Sequence, residues 1–130
     1  MLANNSSFLR NALLVDSAAS CASGIAALLF SKAIASFLGG TAPWFVLAFG
    51  VVAIVYGIQI YLAARTKPIN TGVAKFAAYG NLAGSIVVAL LVFANLVPFT
   101  IAGKWTIAII ADIGLIFAIS QLLGLRKLAK

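Results

Sequence analysis

Four long apolar stretches alternate with short polar segments along the chain. They lie at residues 11–32, 44–64, 76–97 and 105–125. A helix that crosses the hydrocarbon core of a bilayer needs about 20 mostly apolar residues, and each stretch has about that length. Because backbone groups inside lipid must be hydrogen-bonded within their own segment, each stretch is predicted to be a transmembrane α-helix.

The segments between the stretches contain residues that end or begin helices. Gly39 and Pro43 lie in the first connection, Asn70 in the second and Pro98 in the third. Proline is tolerated in the first turn of a helix, and Asn is a favourable N-cap. Because short connections make neighbouring helices antiparallel, we expect an all-α fold, a transmembrane up-down four-helix bundle. Residues 1–130 form a single integral membrane domain in this prediction.

Composition supports lipid as the main solvent of the chain. Hydrophobic residues make up 64% of it, charged residues only 8%, and mean hydropathy is +1.16. Soluble domains are about half apolar and about a quarter charged, so a soluble fold would lack the charges to cover its surface. Residues 1–7 carry no basic side chain, so we expect no cleavable secretory signal.

The chain has few residues that could carry chemistry. It has no His, one cysteine (Cys21) and two acidic residues (Asp16 and Asp112). Haem, zinc and thiolate sites need more ligands than this. We therefore expect no catalytic residues, no metal, no cofactor, no enzyme activity and no nucleic-acid partner.

The basic residues are distributed unequally between the two sides of the predicted bundle. Two lie on the side of the first and third connections, Lys32 and Lys104. The other seven lie on the side of both termini: Arg10, Arg65, Lys67, Lys75, Arg126, Lys127 and Lys130. Basic residues are retained in the cytoplasm, so both termini are predicted to be cytoplasmic, in a bacterial cytoplasmic membrane. The seven are also predicted to contact anionic lipid headgroups.

Each predicted span contributes one polar side chain at a similar depth. At about 1.5 Å per residue, these four side chains lie about 5–10 Å inside the cytoplasmic boundary. They are Asp16, Gln59, Asn81 and Gln121. Because polar side chains in a bilayer tend to face the bundle interior, we expect one shared layer. The layer would be either structural hydrogen bonding between helices or a site for transport.

Small residues mark the predicted packing faces. Gly24 shares a helical face with Asp16, and Gly80 and Gly84 form a GxxxG motif beside Asn81. Small residues let helix backbones approach closely in lipid, so these glycines are predicted helix-packing positions.

Asp112 lies near the middle of the fourth span, about 180° around the helix from Gln121. Charged groups at this depth are costly and need a partner. Two alternatives stay open: Asp112 is protonated inside the bundle, or it faces a second protein. It is a candidate proton or interface site.

Three short motifs resemble a group of small, uncharacterised bacterial four-span membrane proteins. They are Leu13-Leu14-Val15-Asp16, Asn81 with Ser85, and Gln121-Leu122-Leu123-Gly124-Leu125-Arg126. Gly84 stands where that group has Trp. The resemblance implies a fold and a membrane location, and no reaction.

Two functions compete at this point. The first is a non-enzymatic assembly, accessory or lipid-interacting role, with membrane lipids and a second copy or another membrane protein as partners. The alternative is a small proton- or ion-coupled transporter or channel that uses the acidic residues and the amide layer.

Overall fold

The computed structural model describes residues 2–39, 43–94 and 99–129 and is all-α. Its helices are α1 (Leu2–Leu29), α2 (Ser31–Leu38), α3 (Pro43–Arg65), α4 (Thr71–Phe93) and α5 (Ile101–Ala129). The four long helices pack together as a four-helix bundle, which confirms the predicted fold class. The short helix α2 was not among the four predicted helices.

All four long helices contain a stretch long and apolar enough to cross a membrane. These stretches are Ser7–Leu29, Val46–Arg65, Thr71–Phe93 and Ile101–Leu128. Many of their large apolar side chains are exposed, as lipid-facing side chains are. The chain is therefore an integral membrane protein.

The helices differ from the predicted spans mainly at their ends. α4 begins five residues earlier than residue 76, because the Asn70 side chain accepts a hydrogen bond from the Val73 backbone N–H (3.2 Å) and caps the helix. The first predicted span divides at Phe30, after which α2 continues to Leu38. Gly39 then ends α2 with φ 119°, a backbone conformation that favours glycine. Residues 95–97 of the third predicted span lie outside the described residues.

Both ends of the bundle are joined by contacts between helices. At the terminal end, where the start of α1, the α3–α4 connection and the end of α5 meet, Arg10 donates to the Ala64 carbonyl (2.6 Å). At the opposite, distal end, the Thr100 backbone N–H donates to the Leu38 carbonyl (3.1 Å). The long helices therefore run alternately up and down.

The bundle is built from two closely packed helix pairs. α1 packs along α3, and α4 packs along α5. A Cβ atom on Gly24 would lie 2.7 Å from the Gly50 carbonyl oxygen, and one on Gly114 would lie 2.7 Å from the Ser85 hydroxyl. Glycine is therefore what allows each pair to approach this closely.

The two pairs meet most tightly at the terminal end. An apolar core there unites residues of α1, α3, α4 and the α3–α4 connection: Leu9, Leu13, Ile60, Ala64, Ile69, Ala74 and Ala77. A smaller cluster of Ala27, Ala35 and Val46 joins α1, α2 and α3 near the distal end. The larger core closes the terminal side of the site described next.

Candidate functional site

A single carboxylate connects all four long helices. Asp16 of α1 is 1% exposed. Its Oδ2 accepts hydrogen bonds from Gln121 Nε2 of α5 (2.6 Å), Asn81 Nδ2 of α4 (2.8 Å) and the Tyr56 hydroxyl of α3 (3.2 Å). Its Oδ1 accepts one from the Ser20 hydroxyl of α1 (3.3 Å). These five residues are called the Asp16 network below.

The Asp16 network is also bonded internally and to the backbone. Gln121 is fully buried. Asn81 Nδ2 donates a second hydrogen bond, to Gln121 Oε1 (3.2 Å). The Tyr56 hydroxyl lies 3.3 Å from the Ala77 carbonyl oxygen, a second acceptor for its proton. In the part of the chain that the structure describes, every buried side-chain N or O atom has a hydrogen-bond partner. Full satisfaction of this kind favours a single helix arrangement.

Three of the four residues predicted to form a polar layer meet in the network, and one does not. Asp16, Asn81 and Gln121 are hydrogen-bonded together, whereas Gln59 is exposed on α3 and lines a different pocket, together with residues of α4. The prediction of a four-membered layer is wrong for Gln59. Depth along the chain was similar, but α3 is apolar all round and so carries no polar stripe that would indicate its inward face.

Of the three predicted packing glycines, one packs against another helix and two do not. Gly24 lies tightly against α3, within a few ångströms of Ile54 and Gly50. Gly80 and Gly84 do not pack: no atom of another element lies within 4 Å of the position of a Cβ on either residue. The GxxxG motif permits a close approach, but no helix in the described part of the chain occupies its face.

Gly80 and Gly84 instead line a groove between the two helix pairs. The groove has a volume of about 480 Å³ and is partly open to its surroundings. The Asp16 network and the apolar core beneath it separate the groove from the terminal end. Aromatic and small side chains dominate its walls, among them Phe49, Phe117, Ser23, Ser85 and Ala111. A groove of this size can hold part of a small amphipathic molecule.

Asp112 lies outside the network and outside the groove lining. Its side chain is exposed, on the face of α5 opposite the buried Gln121. Ile109 and Ile116, one turn before and after it, are 56% and 61% exposed. Of the two alternatives, burial inside the bundle is therefore wrong.

Basic side chains surround the terminal end. Arg65, Lys67, Lys75, Arg126 and Lys127 are exposed, and Lys130 lies outside the described residues. The Lys127 ammonium lies 4.3 Å from the centroid of the Phe8 ring. Arg10 differs because it is half-buried and donates to the Ala64 and Thr66 carbonyls, the latter at 3.5 Å. Its guanidinium therefore holds the end of α3.

Sequence reasoning missed several residues that join the helices. The Ser17 hydroxyl donates to the Gly57 carbonyl (2.7 Å), and Gly57 lies against Cys21. Gly124 lies against Leu9, because a Cβ atom on Gly124 would lie 2.9 Å from the Leu9 Cβ. A signal for α3 did exist: Gly50 and Gly57 are seven residues apart and so share one helical face.

Comparison of the chain with protein-family models, curated proteins and solved structures finds no match. The resemblance to small bacterial four-span proteins therefore stays a prediction. Function has to be argued from the residues of the site and of the membrane-facing surface.

Proposed function

We propose that the protein has a non-enzymatic assembly role in the membrane, with lipids and a second copy of itself as partners. The observation that carries the proposal is the exposure of Asp112 near the middle of the α5 span. Ionisable residues at this depth almost always face protein or a water-filled cavity, because hydrocarbon solvates them poorly. A partner helix would supply that environment.

The surroundings of Asp112 support a helix as the partner. Exposed residues follow one another along α5 at alternating intervals of four and three, the repeat of a left-handed helix pair. They are Trp105, Ile109, Asp112, Ile116, Ile119 and Leu123. We call this set the α5 stripe. A single polar residue within an apolar seam specifies register and partner number in such pairs.

A second copy fits the α5 stripe because copies inserted in the same direction present identical stripes to each other. A two-fold axis parallel to the helices would bring Asp112 opposite Asp112 of the second copy. Two facing carboxyl groups can hydrogen-bond to each other, so each would have a polar partner inside the membrane. The Asp112 carboxyl group of each copy would be the hydrogen-bonding partner of the other.

Orientation and lipid contact belong to the same proposal. The exposed basic residues of the terminal end would face the cytoplasm and anionic headgroups, with both termini on that side. The distal end has only Lys32 and Lys104 for the same purpose.

Cysteine cross-linking in native lipid tests the assembly. In a Cys21→Ala background, we expect Ile116→Cys to form covalent dimers with a short bifunctional maleimide. Leu115→Cys is the matched control, because Leu115 is the neighbouring residue, is exposed and lies outside the α5 stripe. Equal cross-linking at both positions, or a monomer at all protein densities, would contradict the proposal.

Asp112 variants then test the role of the carboxyl group. Asp112→Leu should weaken dimerisation about three- to thirtyfold, since a hydrogen bond between membrane helices is worth about 0.6–2 kcal/mol. Asp112→Asn should keep the dimer, because an amide also donates and accepts hydrogen bonds. Fluorescence energy transfer between labelled copies, diluted with lipid, measures both constants.

Coupled transport is a second candidate function, favoured by the position of Asp16 at the end of a groove. A pH jump in proteoliposomes separates it from assembly. We expect the wild type to move no protons or ions above the lipid background. A flux that Asp16→Asn abolishes, with the fold retained, would favour transport instead.

A further inference from the structure

The groove contains one carboxyl group and no basic side chain. Among its lining residues Asp16 is the single Asp or Glu, and none is Lys or Arg. The described donors to its carboxylate are a hydroxyl of Ser20, a phenol and two amides, all neutral. Neutral donors stabilise an anion without cancelling its charge, so the groove favours a cation.

The two oxygens of the Asp16 carboxylate are unequally occupied. Oδ2 accepts three hydrogen bonds, at 2.6, 2.8 and 3.2 Å, whereas Oδ1 accepts one, at 3.3 Å from Ser20. A carboxylate oxygen can accept about two hydrogen bonds, so Oδ1 has a position left for a further donor. Ser20 lines the groove together with Asp16, so the less occupied oxygen lies next to a groove-lining hydroxyl.

The rest of the groove suits an apolar body with a cationic end. The rings of Phe49, Tyr56 and Phe117 line it, and an aromatic face attracts a nearby ammonium. Gly80 and Gly84 leave the space along α4 free. The volume of about 480 Å³ matches that of sites for small organic ligands.

We propose that this groove binds an amphipathic primary ammonium. Its N–H groups donate to Asp16 Oδ1 and to the Ser20 hydroxyl, and its hydrocarbon chain lies between the two helix pairs. A phosphate-bearing headgroup fits less well, because no basic side chain lines the groove to receive the phosphate. The binding is separate from assembly, since Asp112 and the α5 stripe lie on the opposite face of α5.

The test uses dodecylammonium as the probe and the full chain in phosphatidylcholine nanodiscs. The side-chain amide NMR signals of Asn81 and Gln121 report on Asp16, to which both donate. Dodecylammonium should perturb these signals saturably. Dodecanol, matched for membrane concentration, and dodecyltrimethylammonium, which has no N–H, should bind about tenfold more weakly or less. A short-chain phosphatidylethanolamine should also leave the signals unchanged.

Two variants make the result decisive. Gly84→Leu puts a side chain into the groove from a position whose Cβ would meet no atom within 4 Å, and it should abolish the perturbation. Ala83→Leu adds a similar side chain on α4 outside the groove lining and should retain the perturbation. Asp16→Asn should also abolish binding if it folds, as judged from the backbone amide spectrum. Equal effects of amine and alcohol, or binding that survives Gly84→Leu, would overturn the proposal.

Discussion

The terminal and distal halves of this bundle use similar residues to opposite effect. In the terminal half, small residues such as Ala64, Ala74 and Ala77 are fully buried, and Gly124 of α5 lies against Leu9 of α1. In the distal half, Gly80 and Gly84 meet no other element and leave a groove open. The boundary between the halves is the Asp16 network.

The difference follows from what drives helices together in lipid. Lipid tails solvate apolar side chains as well as another helix does, so small residues allow contact without causing it. Contact in the terminal half is reinforced by hydrogen bonds between helices, from Arg10 to Ala64 and around Asp16. Distal to the network, the described hydrogen bonds between the pairs run from Thr100 to the Phe37 and Leu38 carbonyls. Between these two regions, Gly80 and Gly84 face open space.

The strongest test of this comparison puts the same substitution in both halves. Gly124→Leu should lower the free energy of unfolding by about 3 kcal/mol, because its Cβ would lie 3.0 Å from the Leu9 backbone and the two helices would have to separate. Gly84→Leu should be neutral or slightly stabilising, since Leu has a better helix propensity than Gly by up to about 1 kcal/mol. Unfolding in mixed detergent–SDS micelles measures both.

The comparison would break if the two variants lost similar stability. That outcome would mean that part of the protein fills the groove when the protein is folded in micelles, and that the two halves are equally packed.

A smaller effect is expected from removing an amide inside and outside the network. Asn81→Leu deletes the hydrogen bonds to Asp16 and Gln121 and should cost about 1–2 kcal/mol of unfolding free energy. Gln59→Leu makes the same chemical change on an exposed position of α3 and should cost nothing measurable. The same SDS titration applies, and a loss for Gln59→Leu as large as for Asn81→Leu would restore Gln59 to the layer.

These paired variants also indicate which features of the fold and of the site could be predicted from the sequence. Long apolar stretches and their breaks sufficed for four helices and their up-down order, because span length and short connections are one-dimensional properties. Asp16, Asn81 and Gln121 could be grouped because depth follows from residue count, and each lies on a helix with a visible stripe of small or polar residues.

What sequence could not predict depends on rotation about the helix axes and on complementary surfaces. Gln59 has the right depth but the wrong direction, and α3 has no polar stripe to reveal it. The one indication of its inward face was the pair of small residues Gly50 and Gly57. Gly80 and Gly84 form a motif whose meaning depends on whether another helix faces them. The groove itself is a gap between two pairs, and no residue pattern within one helix specifies a gap.

At the terminal end, Arg10 and Arg65 differ in what their guanidinium groups contact. Arg10→Gln should lower the unfolding free energy by about 1 kcal/mol, because Ala64 and Thr66 carbonyls at the end of α3 lose a charged donor. Arg65→Gln should change it by less than about 0.5 kcal/mol, since Arg65 is exposed and donates to Tyr61 of its own helix (3.0 Å). The Asn70 N–H donates to the Thr66 hydroxyl oxygen (3.0 Å) and the Ala63 carbonyl (3.4 Å). Faster hydrogen exchange at Asn70 should accompany the first change alone.

The smallest effect on the fold, and one that still separates the two ends, concerns lipid. Lys67 and Lys75 are exposed at the terminal end, and Lys32 is exposed at the distal end. A basic side chain near an anionic membrane surface contributes about 1 kcal/mol of attraction, which falls off within the Debye length. Because the terminal end has several neighbouring cations, a phosphatidylglycerol headgroup there interacts with more than one of them.

The double variant Lys67→Gln with Lys75→Gln should therefore reduce the phosphatidylglycerol retained in native mass spectra. Lys32→Gln should leave the retained lipid unchanged, and both variants should unfold as the wild type does. Retention that falls equally for Lys32→Gln would show that net charge, rather than its concentration at the terminal end, selects the lipid.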